Sequence, residues 1–115
     1  MASDVPVRSW DVVVVPFPYS ERLAEKRRPA VVVSSLRLHR EGYVWIAMIT
    51  GAGKVPVVGD VAIEGLRRAG LPGASMVRAS KIATVEPSRI LRKVGTLGEE
   101  ERGAVQRAIS GFLAP

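Results

Sequence analysis

Residues 26–35 read Lys-Arg-Arg-Pro-Ala-Val-Val-Val-Ser-Ser, a cluster of fixed cations running straight into an apolar, β-branched stretch. Branched side chains favour the pleated backbone, so a strand is expected from Ala30 to Ser35. Pro29 fixes its own φ and steers Arg28 towards extended backbone, which sets Arg28 rigidly at the mouth of that strand. A guanidinium keeps its charge at any working pH and presents forked donors that match phosphate oxygens. The plainer alternative is a basic turn that keeps one end of a sheet solvated.

Working outward, Asp11-Val12-Val13-Val14-Val15 is a second β-branched run, closed by Pro16 and Pro18, which cannot continue a ladder. The two runs predict an antiparallel pair joined by a long polar loop over residues 18–27, and loops of that length in a compact domain often carry function. Downstream, Leu36 to Gly42 reads as a turn and Tyr43 to Thr50 as a third strand ended by Gly51-Ala52-Gly53. Val55 to Ile63 has weaker strand character, with Pro56 and Gly59 marking a sheet edge. Residues 64–73 form a Gly-rich connection with room for one helical turn. Ser75 to Val85 is extended again, and Ile90 to Val94 makes a last short strand. Thr96 and Glu99 have capping-box spacing, and Val105, Ile109 and Phe112 recur at helical intervals, predicting one amphipathic C-terminal helix. Their apolar face is expected in the core, with dimer contact as the other reading. Short strands followed by one helix make a small, mainly β barrel over a single domain, residues 1–115.

Charge and composition narrow the function. A net charge of +6 on 115 residues points to a polyanionic partner: nucleic acid, an anionic surface or an acidic protein. The absence of cysteine removes disulfides, thiolate metal sites and a Cys nucleophile, and a single histidine removes a two-histidine ribonuclease centre. No apolar run approaches the ~18 residues needed to span a bilayer, and no signal-peptide core precedes Ser9, so a cytoplasmic, membrane-free location is expected.

In this order, several motifs resemble the PemK/MazF toxins of bacterial type II toxin-antitoxin systems. Asp11-Val12-Val13-Val14-Val15-Pro16-Phe17-Pro18 is similar to the family's opening strand, Arg28-Pro29-Ala30-Val31-Val32-Val33 to its Arg-Pro-aliphatic motif, and Ile49-Thr50-Gly51 to its third signature. Gly70-Leu71-Pro72, Ser75-Met76-Val77-Arg78 and Lys81-Ile82-Ala83-Thr84-Val85 resemble the PemK-like branch. The resemblance implies an SH3-like barrel of CcdB/MazF type, a homodimer, and a metal-independent, cofactor-free endoribonuclease acting on single-stranded RNA and neutralised by an acidic antitoxin. Position by position, it implies that Arg28 and Thr50 are catalytic and that Ser75 contacts substrate or supports the site. Trp10 stands where the family commonly has glycine, and the 19–27 loop lacks the family's usual glycines.

Metal-free RNA cleavage needs a base for a 2′-OH, a cation for the phosphorane and a proton for the leaving 5′-oxygen. Arg28 meets the second need, and Thr50 offers a hydroxyl to a phosphate oxygen, or else a strand-end bond to backbone. A guanidinium is a poor base; Glu25, three residues before Arg28 in the same loop, is a candidate for that role or else orients Arg28 through an ion pair, and Glu21 shares that ambiguity. Lys26, Arg27, Arg78 and Lys81 are candidates for tracking the RNA backbone, and Tyr19 for stacking on a base. Phe17 and Trp45, inside apolar strands, are expected in the core, and His39 in a solvent-exposed turn. Arg67-Arg68 reads as an RNA or antitoxin contact or as a solvated turn. The alternative function is non-catalytic: a nucleic-acid or gyrase binder, as in the related CcdB toxins, or a degenerate toxin that only occupies antitoxin.

Overall fold

A computed structural model describes residues 5–16 and 26–115. Six antiparallel strands form one curled sheet: β1 (Asp11–Pro16), β2 (Arg27–Val32), β3 (Val44–Gly51), β4 (Asp60–Ile63), β5 (Ser75–Val85) and β6 (Arg92–Thr96), in the order β4-β5-β3-β2-β1-β6. The helices are a single turn α1 (Leu36–His39), a single turn α2 (Leu66–Ala69) and the C-terminal α3 (Glu99–Phe112). The mainly β class with a terminal helix and the antiparallel β1–β2 pair are as the sequence predicts.

Alternation along the strands sends apolar side chains into two packed layers. Val13, Val15, Ala30, Val32, Ile46 and Met48 point to one face. Val12, Val31, Ala47, Ile49 and Val77 point to the other, where Leu97 and Val105 meet them beneath α2 and α3. Both faces of the central strands are therefore apolar, which is why β1 reads as an unbroken valine run rather than an alternating one. Fully burying each valine contributes roughly 1.5–3 kcal/mol before the entropic cost of ordering it.

Curvature comes from breaks in register. Ala47 pairs Ile82 while Met48 pairs Arg78, so Ala79–Lys81 bulge out of β5. A second bulge lies where Val12 faces Gly95 and Val13 faces Lys93. Extra residues on one strand of a pair increase local twist and bend the sheet. The β6–α2 contact is close: a Cβ on Gly95 would lie 2.3 Å from the Arg68 carbonyl oxygen. Gly70, with φ +72°, ends α2 against β6, where a Cβ would come 2.1 Å from the Val94 carbonyl oxygen.

Several local expectations need correction. Trp45 is 47% exposed rather than buried; it shares a face with Ala47, but α3 packs on β4 and β5 and leaves that end of β3 uncovered. Phe112 is 49% exposed and packs against the backbone of Gly59 instead of entering the core. No capping box forms, because Thr96 is used in β6 opposite Asp11 and Gly98 becomes the N-cap. Three glutamates in the first turn face the positive end of the α3 dipole instead. The 36–42 turn contains α1, and His39 is partly buried, its Nε2 2.7 Å from Ser34 Oγ. Among the described residues, no helix is long and apolar enough to cross a membrane.

Candidate active site

The β2–β3 ladder ends at the pair Ala30–Met48, and Arg28 and Thr50 each lie two residues beyond it on their own strands. Both lie at the open end of their strands, on the face that carries Val15, Ala30 and Met48. Arg28 is anchored from its other side, opposite Val15 in β1. Thr50 is 7% exposed and lies opposite Met76 of β5. β2 spans Arg27–Val32 rather than the expected Ala30–Ser35, so Arg28 and Pro29 lie inside the strand, paired with β1, and Pro29 keeps the backbone there extended.

A concavity of about 490 Å³ brings these groups together, lined by Lys26, Arg27, Arg28, Thr50, Lys54 and Ser75 among others. Among the described residues no carboxylate lines it, and four of its lining side chains are cationic, as suits an anionic ligand. The Gly70–Gly73 turn after α2 supplies Leu71 and Pro72 as an apolar wall. Ser75 donates its hydroxyl to the Gly73 carbonyl oxygen at 2.8 Å, which ties that turn to the start of β5. Its oxygen keeps acceptor capacity towards the concavity.

Of the residues singled out in the sequence, Lys26, Arg27, Arg28, Thr50 and Ser75 converge here. Arg78 does not line this space. It grips Asp60 through paired bonds of 3.1 Å from Nε and Nη2, and Nη2 also donates to the Val55 carbonyl oxygen at 2.9 Å. That contact pulls the Asp60 carboxyl below its ordinary range, chiefly through the guanidinium hydrogen bond. Lys81 falls in the β5 bulge, away from Thr50, and is engaged by neighbouring groups. Tyr19, Glu21 and Glu25, together with Phe17, lie outside the described residues.

Sequence reasoning missed Lys54. It follows Gly51-Ala52-Gly53, which reads only as a strand terminus, and its place becomes visible once Lys54 N–H is bonded to the Gly51 carbonyl oxygen at 3.1 Å, folding the loop back beside Thr50. Among the described residues, no group of His, Asp and Glu side chains converges as a metal-binding cluster would.

Residues 8–113 match the family described as PemK-like, MazF-like toxin of type II toxin-antitoxin system. No curated protein sequence matches the chain. Among solved structures, an endoribonuclease in complex with its cognate antitoxin from a mycobacterial species superposes with TM-score 0.73 at 18% identity, covering 96% of this chain and 100% of the other. MazF from Deinococcus radiodurans gives TM-score 0.73 at 18% identity over 92% and 94% of the two chains. The Mycobacterium tuberculosis toxin MazF-mt6 gives 0.70 at 19% identity over 88% and 93%. At such identities the likeness is one of fold.

Proposed function

The chain belongs to the PemK-like, MazF-like toxins of type II toxin-antitoxin systems, and from that premise we propose that it is a metal-independent endoribonuclease acting on single-stranded RNA. The observation that carries the reading is that Arg28 and Thr50, near the ends of two adjacent strands, line one concavity together with Lys26, Arg27 and Lys54.

In the proposed reaction a ribose 2′-oxygen attacks the adjacent phosphorus as its proton passes to a base. The bond from phosphorus to the 5′-oxygen then breaks, and that oxygen takes up a proton, leaving a 2′,3′-cyclic phosphate and a 5′-hydroxyl. Arg28 neutralises the extra charge on the phosphorane oxygens, where a guanidinium donates to two oxygens at once. Thr50 holds a non-bridging oxygen through its hydroxyl, and its near-complete burial fixes that group without further ordering cost. Glu25 is the proposed base. Lys26, Arg27 and Lys54 attract the flanking backbone, Ser75 contacts it, and Tyr19, Arg78 and Lys81 are candidates for further contacts.

The proposed partners are a second copy of the chain and an acidic antitoxin segment. Folds of this kind are solved with antitoxin bound, as in the mycobacterial complex and the MazE–MazF assembly of Deinococcus radiodurans. A basic groove that binds RNA suits an acidic, partly disordered chain for the same electrostatic reason. A substrate with a single 2′-deoxynucleotide at the cut position tests the chemistry. It should resist cleavage while the all-ribose strand yields cyclic-phosphate ends in EDTA, and equal cutting of both would refute 2′-oxygen attack.

A further inference from the structure

The site concavity continues beyond Arg28. It shares Arg27, Arg28, Pro29, Leu71 and Pro72 with a second concavity of about 600 Å³, whose far end is formed by Leu91 and Arg92. The floor of that extension is a row across three strands on the sheet face opposite that of Val15, with Pro29 opposite Val14 in β1 and Val14 opposite Arg92 in β6, and it meets the site concavity at the strand end that carries Arg27 and Arg28. Two strand spacings put Arg92 on the order of 10 Å from Pro29 along the row. Leu91 N–H bonds to the Val14 carbonyl oxygen at 2.9 Å, which pins the segment entering β6. The opposite wall is the Gly70–Pro72 turn, held against Val94 by the close approach at Gly70.

Charge distinguishes Arg92 from other cations of the sheet. Arg78 is taken up by Asp60, and Lys93, the next residue along β6, bonds Asp11 at 3.1 Å. Arg92 has no carboxylate partner among the described residues, and no carboxylate lines the concavity around it. The apolar residues Leu71 and Leu91, the latter 42% exposed, line the same concavity as Arg92. A forked cation next to a small apolar surface, continuous with a cationic site, suits one nucleotide: phosphate on the guanidinium, ribose or base on the leucines.

We infer that the Arg92 end of this groove is a binding subsite for a nucleotide flanking the scissile linkage of single-stranded RNA. The inference rests on the ribonuclease reading for the identity of its ligand, and it requires no catalysis to be tested. Because Arg92 is exposed on the outermost strand, replacing it leaves the core intact.

The experiment is fluorescence anisotropy with a short, mixed-sequence 2′-O-methyl oligonucleotide, which has no 2′-hydroxyl to attack. Wild-type protein is compared with Arg92→Ala, Arg92→Lys and, as a control cation on α1, Arg37→Ala. Arg92→Ala should weaken binding by about 5- to 10-fold near 0.1 M salt and lower the slope of log affinity against log salt by about 0.7, one phosphate contact on a single strand. Arg92→Lys should recover the slope with part of the affinity, and Arg37→Ala should match wild type. Unchanged affinity and slope in Arg92→Ala would overturn the subsite, as would failure of the wild-type protein to bind the strand. Binding that depends on Arg92 in a protein that cuts no RNA would refute the catalytic reading alone. Cleavage of RNA with oligonucleotide binding indifferent to Arg92 would refute the subsite alone.

Discussion

Arg28 and Thr50 line one concavity from two adjacent strands, each two residues beyond the last β2–β3 pair, Ala30–Met48, and each held by its strand's other neighbour, Val15 for Arg28 and Met76 for Thr50. Both backbones are thus positioned by strand pairing rather than by a loop, the kind of support a functional site needs. Thr50→Val keeps the shape and the β-branch and removes only the hydroxyl. RNA cleavage should fall by about 10- to 100-fold, the equivalent of one lost transition-state hydrogen bond, with the thermal midpoint within a few degrees of wild type. Steady-state cleavage of a fluorogenic oligonucleotide checks this.

The Asp60–Arg78 contact carries a pH signature. Arg78 lowers the folded-state pKa of Asp60 below its ordinary value of 3.8. The resulting stabilisation is present above that value and is lost as pH falls through the lower, folded-state pKa. Asp60→Asn should therefore lower the urea midpoint at pH about 7 and narrow its gap to wild type in strong acid, below about pH 3. Parallel urea titrations at the two pH values test it.

Burial lowers the pKa of His39 from its ordinary 6.5, and the Asp11 charge opposes this only in part. Nδ1 is buried without a partner, so the protonated ring would hold an unpaired N–H there. Because the unfolded chain binds the proton more readily, stability should be greatest above about pH 6.5 and decline as pH drops below it, levelling off under the folded-state pKa. An NMR titration should place the His39 pKa under 6.5, and His39→Gln should flatten the stability profile across that window.

Gly95 allows β6 and α2 to approach backbone to backbone, with the Ala69 carbonyl carbon 2.4 Å from where a Cβ would stand. No flexible side-chain tip is available to yield. Gly95→Ala should cost about 1–3 kcal/mol, as overpacking in a tight core does, measured by chemical denaturation. It should also lower RNA affinity by shifting the Gly70–Pro72 wall that α2 carries.

Much of this architecture is written locally. The valine run of β1 and the helical spacing of Val105 and Ile109 depend on neighbours in sequence and form as expected, whereas β2 begins and ends three residues earlier than the apolar run suggests, because its pairing with β1 takes in Arg27–Pro29. What escapes local reading depends on register or coverage between distant segments. Trp45 reads as core because its strand is apolar, yet its exposure is decided by where α3 stops covering the sheet. Arg78 reads as a free cation until β4 pairs with β5 and sets Asp60 beside it. Arg92 acquires a site only when β6 joins β1, far from it in sequence. Thr96 fits a capping box by spacing, but the β6 ladder claims it first.

The measurement that bears most directly on the account is the cleavage rate of a long single-stranded RNA in EDTA by the wild-type protein and by Arg28→Ala, with the ends of the products mapped. Discrete cuts bearing 2′,3′-cyclic phosphate, slowed by about 100- to 1,000-fold in a variant that remains folded, are the predicted result. RNA left intact by folded wild-type protein, or cut within a few-fold as fast by Arg28→Ala, would contradict it.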